Sequence, residues 1–194
     1  MKKFIIILPF VLVVLALTMT GCAKPPTEEM NQAQDAVTRA ENDADAVQYA
    51  GNALVRAREA LIKMQGEADA KRYEAARNFA AEAVSNAEKA IADGKAGAAR
   101  AREEATNLIS GLAGPLAETS AAIDAAKLVK NIKLNFDELS GDMDTARRNY
   151  DEARQSLLAN NYRDASSKSQ TVRSVLAGIN AKITDAVQAE SRKK

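Results

Sequence analysis

The 194-residue sequence predicts an all-α protein, built as an elongated bundle of long antiparallel helical hairpins. After Thr27, apolar residues recur every three or four positions, which is the spacing of one face of an α-helix. Breaks in this pattern fall at glycine, proline and Asn-Asn dipeptides, the usual positions of turns. Most residues on the apolar faces are alanine, so we expect helices to approach closely along Ala-rich seams, with length making up for the small area that each alanine buries.

Composition narrows the classes of function. The 27 basic and 26 acidic side chains nearly balance, which gives no basis for a nucleic-acid partner. One cysteine and no histidine exclude a Cys/His structural zinc site and a disulfide within the chain. Serine lacks the histidine that usually activates it, and carboxylate pairs such as Asp137-Glu138 are expected to cap helices. We therefore expect no enzyme, no catalytic residue, no metal and no cofactor.

The amino end, over residues 1–21, has the pattern of a secretory signal. Lys2-Lys3 is followed by an unbroken apolar run, Phe4–Leu17, and then by the small residues that precede a cleavage site. This run is shorter than the roughly 20 residues that a membrane-spanning helix needs. Extending the run to Gly21 brings it close to that length, so an uncleaved membrane anchor is the alternative.

The four residues Met19-Thr20-Gly21-Cys22 resemble the lipobox of bacterial lipoproteins. The resemblance implies cleavage between Gly21 and Cys22, removal of residues 1–21, and acylation of Cys22 through its sulfur, for example with palmitate. Met19 stands where that family most often has leucine. An aspartate after the lipidated cysteine usually retains a lipoprotein in the inner membrane, and this chain has Ala23. The resemblance therefore implies a lipid anchor in the outer membrane, on its periplasmic face.

The first helical region is predicted to cover residues 28–112. Residues 22–27 form a short Pro-rich tether after the lipidated cysteine, and Thr27 is placed as a helix N-cap. The first apolar face consists of Met30, Ala33, Val37, Ala40, Ala44 and Val47. The phase slips at Ala50-Gly51, which predicts a kink or short loop there, and the pattern then resumes as far as a turn at 66–71.

The longest apolar stripe extends over residues 73–112. If this stripe forms one helix, its length is about 60 Å at 1.5 Å per residue. Asp93-Gly94 and Gly97 are the positions where it could bend. Gly111, Gly114 and Pro115 form the clearest break in the mature chain, and Pro115 is expected to begin the next helix.

The second helical region is predicted to cover residues 115–194. Its expected elements are a helix over Leu116–Leu139, a turn at Ser140-Gly141-Asp142, a helix over Met143–Leu157, a turn at Asn160-Asn161 and a last helix over Tyr162–Val187. Ile132, Leu134 and Phe136 also alternate, so a short strand is the alternative for that part.

Three lysines, Lys127, Lys130 and Lys133, recur at a spacing of three within the predicted helix. This spacing places them on one helix face, opposite the apolar residues. The face is interpreted either as a small basic stripe for an anionic partner or as a solvated surface.

Two parts of the chain share the pattern A-R-x-x-L, turn, Y-x-x-A. The pattern ends at Tyr73 and Ala76 in the first part and at Tyr162 and Ala165 in the second. The spacing from Ala-Arg to Tyr differs between the two parts by two helical turns, so the same side faces the partner helix. We expect two related hairpins, in which each tyrosine closes the end and the alanine lets the helices touch. The alternative is a chance likeness between Ala-rich helices.

Residues 27–105 also resemble a family of uncharacterised bacterial envelope lipoproteins with a tetratricopeptide-like helical domain of unknown function. The matching positions are Tyr49-Ala50, Leu54, Ala57, Leu61, Tyr73-Glu74-Ala75-Ala76, Ala80, Ala83 and Ala87. The chain has Gly51 where that family commonly has proline. The resemblance implies an envelope location and a helical fold, and it implies no reaction.

The basic tail Arg192-Lys193-Lys194 resembles the end of the murein lipoprotein, whose terminal lysine is joined to peptidoglycan. The plain alternative is a charge that complements the helix dipole.

We expect a structural or scaffolding role through contacts between helix faces and another envelope protein. The alternatives are a cell-wall tether through Lys194 and an amphipathic lipid-binding protein, and seams of small residues also allow a homo-oligomer.

Overall fold

A computed structural model of the protein describes residues 24–192. Within that range the chain forms seven α-helices and no strand, which confirms the all-α prediction. They are α1 (Thr27–Asn42), α2 (Ala44–Tyr49), α3 (Gly51–Asp69), α4 (Tyr73–Ser110), α5 (Ala113–Lys127), α6 (Phe136–Leu158) and α7 (Tyr162–Ser191). None of these helices is both long and apolar enough to cross a bilayer. The chain divides into two compact units between Gly94 and Lys95, inside α4, whereas the two predicted regions meet at the break between α4 and α5.

The first unit has a core built almost entirely from alanine. Every member of its buried cluster is alanine except Val37, Leu54 and Met64. Alanine has the highest helix propensity and adds little bulk, so the helices of this unit pack with their backbones close together. The larger residues at the edge of the cluster are Met30, Leu61, Phe79, Val84 and Ile91. The Ala-rich seam predicted for this part of the chain is therefore confirmed.

Two breaks separate α1, α2 and α3. The break at Ala50, where φ is −126° and ψ is 30°, lies at the predicted phase slip and confirms it. The apolar spacing does not predict the break at Asp43, whose Oδ1 accepts a hydrogen bond from the Ala46 N–H at 2.8 Å and caps α2. Thr27, the predicted N-cap of α1, is instead its first residue. Pro26 takes the cap position, and no side-chain hydrogen bond caps this helix.

Helix α4 continues without interruption through both glycines at which the sequence allowed a bend. Gly94 has a different role, because α4 passes very close to α2 at this point. A Cβ atom built on Gly94 would lie 2.5 Å from the backbone N of Ala46 and 2.7 Å from its Cα. Backbone atoms cannot move aside as the end of a flexible side chain can, so only glycine fits at this position.

The second unit contains the end of α4 together with α5, α6 and α7. Helices α6 and α7 pack along their lengths as a hairpin, and α5 contacts both of them. The buried cluster consists of Leu112, Ile123, Ala126, Leu139, Met143, Ala146, Val172, Leu176, Ile179 and Ile183. Only two members of this cluster are alanine, so long and branched side chains fill this core. A partly buried hydrogen bond from Asn180 Nδ2 to Thr119 Oγ1, at 3.0 Å, joins α7 to α5.

The predicted single helix over Leu116–Leu139 is wrong, because two helices share this range. Helix α5 ends at Lys127, and Asn131 then adopts a left-handed backbone conformation with a φ of 63°. Asn135 caps α6, because its side chain accepts a hydrogen bond from the Glu138 N–H at 3.2 Å. The chain therefore leaves one helix and starts another between these points.

Two further boundaries differ from the prediction. Helix α5 begins at Ala113, so Pro115 is its third residue and not its first. The predicted turn at Ser140-Gly141-Asp142 lies inside α6, where Gly141 has open space around it. The buried residues that continue the helical spacing across this stretch are Leu139, Met143 and Ala146. A glycine on the open side costs about 1 kcal/mol of helix propensity relative to alanine, and the buried face offsets that cost.

The alternation of Ile132, Leu134 and Phe136 comes from a connecting segment and not from a paired strand. Residues 132–135 lie outside both helices, and no strand occurs in the described part of the chain. All three alternating residues pack, partly buried, against the core of the second unit. Alternate side chains of an extended backbone point to the same side, so the alternation reflects packing of one side of this segment.

The three lysines do not form the helix-face stripe that their spacing predicts. Lys127 is the last residue of α5, while Lys130 and Lys133 belong to the connecting segment. All three lysines are exposed. Their regular spacing therefore describes positions along a loop and not a face of a helix.

We expect Gly94→Ala to lower the free energy of unfolding of the first unit by about 1–3 kcal/mol, because the added methyl group overlaps the α2 backbone. The matched control is Gly66→Ala in α3, where a Cβ atom would have no neighbour within 4 Å. This control should raise the same free energy by about 0.5–1 kcal/mol, since alanine is the better helix former. Urea denaturation followed by circular dichroism measures the free energy of unfolding of both variants. Equal changes in the two variants would contradict the close approach at Gly94.

Candidate functional site

The predicted site residues fall into two groups. Gly21, Cys22 and Lys194, the candidates for signal cleavage, lipidation and peptidoglycan attachment, lie outside the described residues 24–192. The candidates that the structure describes are the hairpin residues Tyr73, Ala76, Tyr162 and Ala165. They lie at two turns, one in each compact unit.

A left-handed residue and two backbone hydrogen bonds form the turn between α3 and α4. Lys71 has a φ of 59°, and its N–H donates to the Ala68 carbonyl at 2.9 Å. The Arg72 N–H donates to the Glu67 carbonyl, also at 2.9 Å. These two bonds form a Schellman motif, which satisfies the last carbonyls of a helix and reverses the chain. Tyr73 follows directly as the first residue of α4.

The side chains of Glu67 and Arg72 span the same turn. The Arg72 guanidinium donates to both carboxylate oxygens, with Nη2 2.8 Å from Oε1. The hydrogen bond lowers the pKa of Glu67 and raises the pKa of Arg72. Because the Arg72 side chain is largely exposed, solvent screens this ion pair and its contribution to stability is small.

The turn between α6 and α7 has the same geometry. Asn160 has a φ of 60°, and its N–H donates to the Leu157 carbonyl at 3.1 Å. The Asn161 N–H donates to the Ser156 carbonyl at 2.8 Å, which completes a second Schellman motif. Tyr162 begins α7, and its hydroxyl donates to Asn160 Oδ1 at 2.7 Å, so this tyrosine is bonded to the turn residue itself.

The two hairpins bury equivalent positions when their turns are aligned. The alignment pairs Tyr73 with Tyr162, and every other position is shifted by the same amount. Before the turn, the buried residues Ala50, Leu54, Ala57 and Met64 correspond to the buried residues Leu139, Met143, Ala146 and Ala153. After the turn, the buried residues Ala76, Ala80, Ala83, Ala87 and Ala90 correspond to the buried residues Ala165, Ser169, Val172, Leu176 and Ile179. In this alignment the two A-R-x-x-L segments lie two helical turns apart, on the same helix face.

Two lysines with raised pKa values join α6 to α7. Lys182 donates to Glu138 at 2.6 Å and to Asp142 at 3.0 Å, and these hydrogen bonds raise its pKa. Lys168 donates to Glu152 at 2.6 Å, with the same effect on its own pKa. Within residues 24–192, no cluster of three or more acidic or cysteine side chains could hold a metal ion. The Lys168 and Lys182 side chains are both partly exposed, and their ion pairs join the two helices of the hairpin.

An open groove of about 610 Å³ lies between α5 and α6. Its apolar lining consists of Ala113, Leu116, Ala117, Ala121, Met143 and Tyr150. Asp124 of α5 and Arg147 of α6 add one charge of each sign, and both are exposed. Arg147 Nη2 also donates to Ser120 Oγ at 3.2 Å, which links the two walls.

The apolar spacing gave no indication of this groove. The signal that could have found it is the composition of α5, in which only Glu118, Asp124 and Lys127 are charged. A surface helix normally carries charged residues over most of its solvent side. Here the exposed side includes Ala117 and Ala121, which leaves a smooth apolar wall.

We expect Lys71→Gly to raise the free energy of unfolding of the first unit by about 0.5–1 kcal/mol, because a Cβ atom is strained at positive φ and glycine has none. Asn160→Gly in the second unit should have a smaller effect, since asparagine tolerates this conformation and its side chain accepts the Tyr162 bond. Lys71→Ala, which keeps the Cβ atom, is the control and should change little. Denaturant unfolding of the three variants measures the differences, and a destabilising Lys71→Gly would contradict the assigned turn.

Residues 28–106 match a family model described as a domain of unknown function, DUF4398. The match covers α1, α2, α3 and most of α4, including the first Schellman turn, and amounts to less than half of the chain. No curated protein and no solved structure matches the sequence. Residues 28–106 are thus a DUF4398 domain, whose function is uncharacterised.

Proposed function

We propose that the protein is a lipid-anchored protein of the outer membrane that faces the periplasm and acts as a scaffold for another envelope protein. The observation that carries the scaffold role is the groove between α5 and α6. The proposed occupant is an amphipathic helix of the partner, which lays its apolar side in the groove.

The proposed anchor rests on Met19-Thr20-Gly21-Cys22 and its resemblance to a lipobox. Acylation of Cys22 would join the chain to the membrane through a thioether. Each buried methylene group contributes about 0.8 kcal/mol, so two or three acyl chains make release very slow. Because Ala23 and not aspartate follows the cysteine, the proposed destination is the outer membrane.

The shape of the groove suits a helix. The small residues Ala117 and Ala121 let a partner backbone approach α5 closely, as in other contacts between helices with small side chains. On the opposite wall, Met143 belongs to the buried core and forms the apolar floor of the groove, with the partly buried Tyr150 beside it.

The charges of the groove define the partner further. Asp124 lies on one wall and pairs with Lys127 at 3.0 Å, and Arg147 lies on the other and pairs with Asp144 at 3.6 Å. Both pairs are exposed, so a basic and an acidic residue flanking the apolar side of the partner helix would share them. Such complementary charges chiefly fix the direction in which a helix binds. The proposed partner is therefore an amphipathic helix with one basic and one acidic flank.

Metabolic labelling with palmitate is expected to mark the protein, and Cys22→Ala is expected to lose the label and the outer-membrane location, because only sulfur forms the thioether. Thr20→Ala keeps a small residue before the cleavage site and serves as the control that retains both. Labelling and membrane fractionation make the measurement. An unlabelled wild-type protein, or a Cys22→Ala variant that fractionates unchanged, would contradict the anchor.

A photo-reactive amino acid at Ala121 is expected to cross-link in cells to one amphipathic helix of one envelope protein, because this residue is exposed within the groove. The control position is Ala177, exposed on α7. Adding Ala117→Arg should lower the adduct yield about tenfold, since an unpaired charge would enter an apolar contact. Mass spectrometry identifies the cross-linked peptide. Equal yields from both positions, or adducts only with a second copy of this chain, would contradict the proposed partner.

A further inference from the structure

The segment that connects α5 to α6 is both basic and apolar. Between Ala125 and Phe136 the chain has three lysines and no acidic residue. Four large aliphatic residues are interspersed among these lysines. In order, the residues are Lys127, Leu128, Val129, Lys130, Asn131, Ile132, Lys133 and Leu134.

The aliphatic residues of this segment divide between the core and the solvent. Ile132 and Leu134 pack against the core of the second unit. Leu128 is 85% exposed and Val129 is 36% exposed. A single exposed leucine is common on protein surfaces, but Leu128 is the most exposed of the large hydrophobic residues described, and it lies directly beside lysine.

Two of the three lysines of the segment form no ion pair within residues 24–192, although Glu138 and Asp185 line the same pocket as Lys133. Among the described residues, Lys130 and Lys133 form no ion pair, and Lys127 pairs only with Asp124 of its own helix, at 3.0 Å. Glu138, just after the segment, is already bonded to Lys182 at 2.6 Å. Unpaired positive charge and exposed aliphatic surface therefore occur together in one short loop.

We propose that residues 127–134 dock on an anionic phospholipid surface. Leu128 and Val129 enter the boundary between headgroups and acyl chains, and the lysines contact the lipid phosphates. Lysine suits this arrangement, because its aliphatic stem lies along apolar surface while its ammonium group reaches the headgroups. An anionic lipid surface is proposed as the occupant because its charge is opposite to that of the lysines in residues 127–134. The groove between α5 and α6 carries both signs of charge and suits a protein helix, whereas this segment carries positive charge only.

The contact is separate from the proposed anchor, which needs Cys22 and not this segment. An anchored protein meets the bilayer at a high effective concentration, so a weak second contact is sufficient to hold the second unit at the surface. Each lysine near an anionic membrane strengthens such a contact about fivefold at low salt.

The chain offers a matched control for the exposed leucine. Leu158 is 83% exposed, nearly as much as Leu128, and it lies at the opposite end of α6. Leu158 is the last residue of α6, whose 23 residues span about 35 Å, whereas Leu128 lies eight residues before the first residue of that helix. Leu158 is followed by Ala159-Asn160-Asn161, with no lysine beside it. A lipid contact of the proposed kind should therefore include Leu128 and exclude Leu158.

The absence of tryptophan from the sequence makes a site-specific reporter available. The full chain carrying Leu128→Trp is reconstituted into phosphatidylcholine vesicles with or without phosphatidylglycerol, and Leu158→Trp is treated in the same way. We expect a blue-shifted emission that brominated lipid quenches for Leu128→Trp in the anionic vesicles only. Leu158→Trp should keep the emission of a water-exposed indole. The same two reporters in a Cys22→Ala background, added to the vesicles without the anchor, separate the two proposals, because any quenching at Leu128→Trp should still require phosphatidylglycerol there.

The lysines are tested in the same reporter background. Lys130→Gln and Lys133→Gln should each lower the ratio of docked to undocked protein about fivefold at low salt. A higher salt concentration should lower this ratio as well. The proposal would be overturned if bromine did not quench Leu128→Trp or quenched both positions equally. It would also be overturned if the quenching did not depend on phosphatidylglycerol. A blue shift without bromine quenching would assign the segment to a protein contact, including a second copy of this chain, and would overturn it as well.

Discussion

Close approach between alanine-lined backbones is the constraint on which the first unit depends. All but three members of its buried core are alanine, and at Gly94 the approach excludes even a methyl group. Burying alanine costs almost no side-chain entropy, but each alanine also removes little apolar area from water. Stability therefore comes from many small contacts along long helices. A substitution that adds volume where two alanines meet on this seam is expected to push the two helices apart.

The two hairpins have the same turn and register but different cores. At equivalent positions, Ala83 and Ala87 of the first correspond to Val172 and Leu176 of the second. A Schellman turn fixes where one helix stops and the next begins, and this choice decides which residues face the partner helix. The volume of those residues then decides only how far apart the helices pack. The turn therefore determines the likeness between the two hairpins. The register is the same although the first hairpin has an alanine seam and the second has a core of larger side chains.

Apolar spacing predicts the helix boundaries well where the sequence itself marks the break between two helices. The slip at Ala50 disturbs the phase, and the turn at Asn160 is marked by a pair of asparagines. The prediction fails between α5 and α6 because residues 132–136 have a spacing that suits both a helix and an extended segment. The left-handed Asn131 and the cap at Asn135 decide between them, and neither changes the apolar pattern. Contacts between different helices, such as those that form the α5–α6 groove, cannot be predicted from the apolar spacing within one helix.

The stretch that the helical spacing misassigned also carries the proposed lipid contact, and one cause accounts for both. When α5 ends at Lys127, Ile132 and Leu134 turn into the core, while Leu128 and Val129 remain outside. A connecting loop places few packing demands on its side chains, so its residues are free to serve contacts outside the chain. Nothing in the packing of the second unit requires a leucine that is 85% exposed. Its position in a segment with three lysines and no acidic residue of its own is better explained by a surface that the loop contacts than by the packing of the fold.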